Sequence, residues 1–241
     1  CAIIFGCGVF FYSTLHSGYS HIYSFCLISI FIYLTIKNKN PFMIGFLLGL
    51  IFLVRNINAL IILFYLFYDK KNFKKIIPLM IGFILPLIPQ MIYWKIQTGH
   101  FLINSYDLKY QRLICKTNPQ YCFYDHFDFL KPHILNNFFS YKKGLFFYYP
   151  ALIYAVFGLF YIEKKLKYSI IIFLLPIIYL ISSWSDWSYG FSFGQRPYVD
   201  YMSIFALLIA ITLFKIKQKN ISYSVLIFLT LYSLLMMILV M

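Results

Sequence analysis

The sequence predicts an all-α protein: a polytopic bundle of transmembrane helices with one long extracytoplasmic loop that contains short interfacial helices. Composition is the first indication. Of 241 residues, 62% are hydrophobic and 12% charged, against about 45–50% apolar and about 25% charged in an ordinary soluble domain. The second is patterning. Mean hydropathy is +0.77, and apolar runs of roughly 17–25 residues, the length that crosses a hydrocarbon core, recur along the chain. The third is the alternating charge of the connections between those runs.

Taken in order, the apolar segments are 1–12, 21–36, 41–54 with 59–68, 76–94, 144–162, 168–183, 198–214 and 221–241. The first starts at Cys1 rather than Met, and CAIIFGCGVFFY is too short and uncharged for a signal peptide. It reads as the tail of a spanning helix, with the N-terminal part of the protein missing. In PFMIGFLLGLIFLVRNINALIILFYLFY, Arg55 lies between apolar arms of fourteen (41–54) and ten (59–68) residues. At ~1.5 Å per residue these reach about 21 and 15 Å, short of the ~30 Å core. A helical hairpin turning near Arg55 inside the protein is therefore expected, because a charged turn at membrane depth needs protein or a wet cavity around it. The chain divides into transmembrane helices over 1–94, an extracytoplasmic loop over 95–143, and four transmembrane helices over 144–241.

The short connections KNKN (37–40), DKKNFKK (69–75), EKKLK (163–167) and KIKQK (215–219) carry twelve lysines against two acids. Lys and Arg accumulate in cytoplasmic loops, so these face the cytoplasm, while 13–20, 95–143 and 184–197 face outside. Every crossing then alternates. The expected location is the inner or plasma membrane, as a multi-pass protein. A net charge of +14 invites a nucleic-acid reading, but eighteen of the 21 basic residues are lysines, most of them beside helix ends. Membrane lipid is the expected partner, and no nucleic acid.

The stretch SWSDWSYGFSFGQRPYVDY (183–201) carries the densest chemistry. Trp184 and Trp187 suit an interfacial aromatic belt, which leaves Asp186, Ser192 and Arg196 unexplained. Arg196 opens the next span, with Pro197 at a position where a helix accepts proline. Its guanidinium has three uses open to it: snorkelling to headgroups, pairing within the protein, or a bidentate grip on an anionic group. Gly190 and Gly194 permit tight turns and close approach of a ligand. Asp200 lies four residues on, and at helical spacing Arg196 is its expected partner.

Trp187, Gly190, Ser192-Phe193-Gly194 and Arg196 resemble the W-x-x-G-x-S-F-G-x-R motif of bacterial and archaeal GT-C-type membrane glycosyltransferases, relatives of the lipid-linked-sugar mannosyl- and arabinosyltransferases. Other stretches resemble the same family in the same order. HSGYSHIYSFCLISIFIYL (16–34) is similar to its His-containing external helix start. GLIFLVRNINALIIL (49–63) is similar to its G-L-x-x-L-x-R-P-x-N hairpin, with Asn56 in place of the proline. IPQMIYWKIQTGHFLINSY (88–106) is similar to the helix end that feeds the large loop. SYKKGLFFYYPALIY (140–154) resembles the R-x-G-L-F-x-x-x-P helix start, with Lys143 near the basic position. Together these cover nearly the whole chain, each motif being loose.

The resemblance implies an enzyme that moves a sugar from a polyprenyl-phosphate donor to an extracytoplasmic acceptor. It implies an acidic catalytic residue in a first external loop, expected upstream of Cys1. Arg196, Arg55 and Lys143 are the expected phosphate-holding cations, accompanied by Asp186, Trp187, Ser192, His21, Tyr106 and Asp107. A divalent cation is open as a cofactor, with no residues assigned to a metal. Asp125-His126-Phe127-Asp128 has suitable types for cation or acid–base work, yet loop acids are usually solvated or paired with lysine. His16 and His21 either line the site or pack at the interface. Cys115 and Cys122 bracket KTNPQY in the external loop and form a disulfide candidate. The alternative functions are a transporter or flippase of a lipid-linked or small anionic substrate, and a non-catalytic membrane subunit. For the transporter, paired broken helices are the mark to seek; only one broken element appears.

Overall fold

The computed structural model describes residues 2–102, 126–190, 192–216 and 218–240. Among these the architecture is all-α, with a single isolated bridge between Phe127 and Trp184. Tyr106, Asp107, Cys115 and Cys122 lie outside the described residues, as does Asp125.

The first segment is not one helix. α1 (Ala2–Gly6) is followed by a π-helical turn, Phe11–Leu15, and the two are separated at Gly8, which sits at φ +76°. α2 (His21–Ile36) comes next. α3 (Pro41–Val54) starts with two favourable signals: Asn40 accepts from the Phe42 N–H at 2.9 Å, and proline fills the first helical position. It stops at Arg55, whose backbone is extended (φ −154°, ψ 114°). A 3-10 turn, Asn56–Ile61, and α4 (Ile62–Tyr68) then carry the chain back. The return is visible at the lysine-rich end, where Lys75 Nζ donates to Asn38 Oδ1 at 3.0 Å. The chain is thus broken at Arg55 and comes back toward the start of α3.

A 29-residue helical stretch, Lys70–Thr98, contains α5 (Ile76–Ile84) and α6 (Leu87–Thr98), joined by a turn at Leu85–Pro86. It starts earlier and ends later than the apolar run 76–94, because lysines and glutamines at its ends favour helix as much as the apolar residues do. After the large loop come α7 (Ile134–Phe139), α8 (Leu145–Tyr148), a 3-10 turn Pro150–Leu152, and α9 (Ile153–Tyr161). α10 (Lys164–Ser182), a 3-10 turn Arg196–Tyr201 leading into α11 (Met202–Lys215), and α12 (Lys219–Val240) complete the chain.

Among the described residues, four helical stretches are long and apolar enough to cross a membrane: Lys70–Thr98, Lys164–Ser182, Arg196–Lys215 and Lys219–Leu239. That is compatible with a membrane protein. Of the four spans expected after residue 144, three reach that length. The fourth is broken at Tyr149–Pro150 and leaves the shorter helix Pro150–Tyr161.

Close packing relies on small residues, as it does where no hydrophobic drive separates helices from their surroundings. A Cβ added at Gly45 would sit 1.9 Å from the Leu79 carbonyl oxygen, and one at Gly82 would sit 2.1 Å from that of Phe42. α3 and α5 therefore touch backbone to backbone. Gly158 does the same for α9 against α11, with Leu208 O 2.4 Å from its added Cβ.

Gly45→Ala should destabilise the fold by about 1–3 kcal/mol through overpacking. Gly18→Ala, where an added Cβ meets nothing within 4 Å, should leave the thermal unfolding midpoint in detergent unchanged.

Candidate functional site

The end of the bundle opposite the lysine-rich connections is organised around one carboxylate. Asp200 is fully buried. Its Oδ1 lies 2.7 Å from His21 Nδ1, and its Oδ2 accepts from Asn58 Nδ2 at 2.6 Å and lies 3.5 Å from Arg55 Nη1. Asn58 in turn accepts from the Tyr201 hydroxyl at 2.6 Å. Arg55 Nη1 also lies against the imidazole, 3.1 Å from Nε2. A buried charge is tolerated when it is paired and its lone pairs are filled, and here both conditions hold. The network joins the start of α2, the hairpin turn, and the start of α11.

The expected pairing of Asp200 with Arg196 is corrected by this geometry. Residues 196–201 form a 3-10 turn rather than α-helix. At three residues per turn, positions four apart lie roughly a third of a turn around from each other. Asp200 faces inward to α2 and the hairpin, and Arg196 faces elsewhere. The Arg196 guanidinium carbon is 5.0 Å from the Tyr19 ring centroid and 6.0 Å from that of Tyr189. Among the described residues no carboxylate lies within 4.0 Å of it. The two arginines at this end are thus differently engaged: Arg55 is paired and Arg196 is held by aromatic faces.

Lys143 belongs to the same electrostatic neighbourhood. Burial lowers the pKa of its ammonium, and the nearby charges of Arg196 and Lys142 lower it further, with Asp186 opposing them. Lys142 extends over the Trp187 ring at 5.9 Å, with His133 on the same indole at 6.2 Å between centroids. Asp186 is exposed and accepts from the Ser188 hydroxyl at 2.7 Å. Beside Arg196 the turn Leu15–Tyr19 lines a recess of about 360 Å³, with His16 stacked on Phe11 behind it.

The loop that carries Arg196 is held by its own backbone. The Phe193 carbonyl accepts two hydroxyls, from Tyr12 at 2.9 Å and Tyr149 at 3.0 Å. Gly190 and Gly194 adopt φ +61° and +55°, left-handed conformations that favour glycine. Ser192 donates to the Tyr189 carbonyl at 3.4 Å, and Gln195 donates to that of Trp187 at 3.1 Å. Ser192 thus contributes to the shape of the turn.

Of the residues singled out in the sequence, the structure gathers His21, Arg55, Lys143, Asp186, Trp187, Ser192 and Arg196 at one end. His21 is buried and engaged on both ring nitrogens. Asp128 serves a turn, its Oδ1 accepting from the N–H groups of Leu130 and Lys131. Among the described residues there is no cluster of three His, Cys, Asp or Glu placed to hold a metal.

Asn58, Tyr201, Tyr19 and Tyr189 were not anticipated. Asn58 did leave a signal, a polar amide inside an apolar run three residues after Arg55. The tyrosines left none in a chain with 23 of them. No family model, curated protein or solved structure matches the chain.

Removing the carboxylate strands a half-buried arginine and a buried histidine. Asp200→Ala should therefore cost about 3–5 kcal/mol, read as a large fall in unfolding temperature of the purified protein in detergent. A midpoint within a degree of wild type would show that the network contributes little.

Proposed function

We propose that this chain is a membrane glycosyltransferase of the GT-C kind, which moves a sugar from a polyprenyl-phosphate donor to an acceptor outside the cytoplasm. In this reading it is an integral membrane protein with 95–143 and 184–197 on the extracytoplasmic side. The observation that carries the proposal is Arg196: a guanidinium held against two tyrosine rings, one of them Tyr19 of the recess-lining turn, and unpaired with any described carboxylate. Arg55, by contrast, is engaged by Asp200.

The chemistry asks for such a cation. The bond between the sugar's anomeric carbon and the donor phosphate oxygen breaks, and the phosphate departs with the bonding pair. A new bond forms from the acceptor hydroxyl oxygen to that carbon, and the hydroxyl proton passes to a base. Negative charge builds on the departing phosphate, and fixed cations that meet it there lower the barrier. Arg196 offers a planar fork suited to phosphate oxygens, and Lys143 adds a point charge. Desolvation already disfavours the charge on Lys143, so an incoming anion restores what burial removes. The motif resemblance at Trp187, Gly190, Ser192, Phe193, Gly194 and Arg196 supports the same reading.

The transport reading draws on the break at Arg55. That break is filled by side chains of the protein itself, Asp200, His21 and Asn58, which weighs against a carrier site there.

Arg196→Ala in the full protein, reconstituted in lipid, should weaken polyprenyl-phosphate binding by about ten- to hundred-fold and abolish sugar transfer. Lys215→Ala, at the opposite end, should change neither. Undiminished transfer by a folded Arg196→Ala protein would end the proposal.

Lys143 adds a pH signature. Its pKa is lowered in the folded protein, so its charge is lost at a lower pH than that of an ordinary lysine. Donor affinity should accordingly decline on the alkaline side earlier than free lysine chemistry dictates. Lys143→Arg should push that decline to higher pH in a binding titration.

A further inference from the structure

The proposed anion site depends on a guanidinium whose aim is set by the backbone two residues before it. Phe193 sits at the centre of that backbone. Its carbonyl oxygen has two lone pairs, and a buried carbonyl must have its hydrogen bonding met. Two tyrosine hydroxyls from separate parts of the chain meet it: Tyr12 in the π-helical turn and Tyr149 at the break between α8 and α9. Both tyrosines are fully buried.

The Tyr149 hydroxyl does more than donate. A Cβ added at Gly194 would lie 2.6 Å from it, and one added at Gly8 would lie 2.5 Å from it. Both glycines have positive φ, +55° and +76°. One hydroxyl is thus enclosed by two left-handed glycine turns and the carbonyl it serves. The Phe193 ring is packed edge-on against the rings of both Tyr148 and Tyr149, at 5.5 and 5.6 Å between centroids. Peptide 193–194 is therefore fixed in orientation and in position. Arg196 follows directly, its N–H donating to the Gly194 carbonyl at 3.2 Å. The same elements carry the other parts of the site: Tyr12 precedes the recess-lining turn 15–19, and Tyr149 follows Lys143 by six residues.

We propose that Tyr12 and Tyr149 are positioning residues, a two-hydroxyl clamp on the Phe193 carbonyl that sets Arg196 against Tyr19 and holds it in register with Lys143. The proposal rests on the anion-binding reading of Arg196. Neither tyrosine touches the ligand; each acts through the loop. The clamp makes the site one unit out of three distant segments, residues 8–19, 143–149 and 192–196. Loss of one hydroxyl leaves the carbonyl with a single donor, and loss of both leaves it buried with none.

The test uses the full chain in nanodiscs of zwitterionic lipid, titrated with farnesyl phosphate, a short polyprenyl monophosphate. Tyr12→Phe and Tyr149→Phe should each weaken binding about three- to ten-fold, and the double variant more. In an Arg196→Ala background the same tyrosine changes should have no further effect on the residual affinity, because there is no guanidinium left to aim. Equal losses with and without Arg196 would mean that the tyrosines merely hold the fold together, and would overturn the clamp. Wild-type binding by both single variants, with Arg196→Ala impaired, would overturn the clamp and leave the phosphate reading standing. Wild-type binding by Arg196→Ala would overturn the phosphate reading and the clamp with it. Should the double variant fail to fold, the single variants and their cycles with Arg196 decide the matter.

Discussion

One buried carboxylate constrains this end of the molecule. An ionised Asp200 removed from water is costly unless its oxygens are filled, and filling them draws His21, Asn58 and Arg55 to one point. Those three residues come from the start of α2 and from the hairpin turn. Their convergence fixes where the hairpin ends, how deep it reaches, and which way α11 begins. The unwound backbone at Arg55 is stable for the same reason, since a helix break among apolar neighbours persists only where protein surrounds it. Tyr201, next to Asp200, extends the network through Asn58.

This arrangement also divides the labour between two arginines. Arg55 is held by the carboxylate and neutralised by it. Arg196 is supported by the faces of Tyr19 and Tyr189, contacts that hold a cation while leaving its N–H fork available. A positively charged group poised this way beside a polar recess, with Lys143 close enough to feel it, is suited to an anion. The proposed glycosyl transfer follows from that suitability together with the motif around Arg196.

Much of the fold was legible because its causes are local. The charged residue inside an otherwise apolar run announces the break after α3. The break at Tyr149–Pro150 and the left-handed Gly8 were less visible. Proline is acceptable in the first turn of a helix, and a glycine's conformation follows from what packs on it. Of the candidate site, Arg196, Ser192, Trp187 and His21 were singled out through a family resemblance, and Arg55 through its charge in an apolar run. The tyrosines that hold Arg196 and its loop were hidden among many similar residues.

By itself, then, the sequence determined which stretches suit a hydrocarbon environment and where the lysines concentrate, since composition and residue spacing act within a few turns of chain. It did not determine which charges meet. His21 and Asn58 reach Asp200 across 179 and 142 residues, and a local 3-10 turn rotates Arg196 away from the acid four positions on. Only tertiary structure decides such partners, because a pairing is favourable solely where separate segments are packed into contact. That packing paired Arg55 with Asp200 and set Arg196 against tyrosine faces instead.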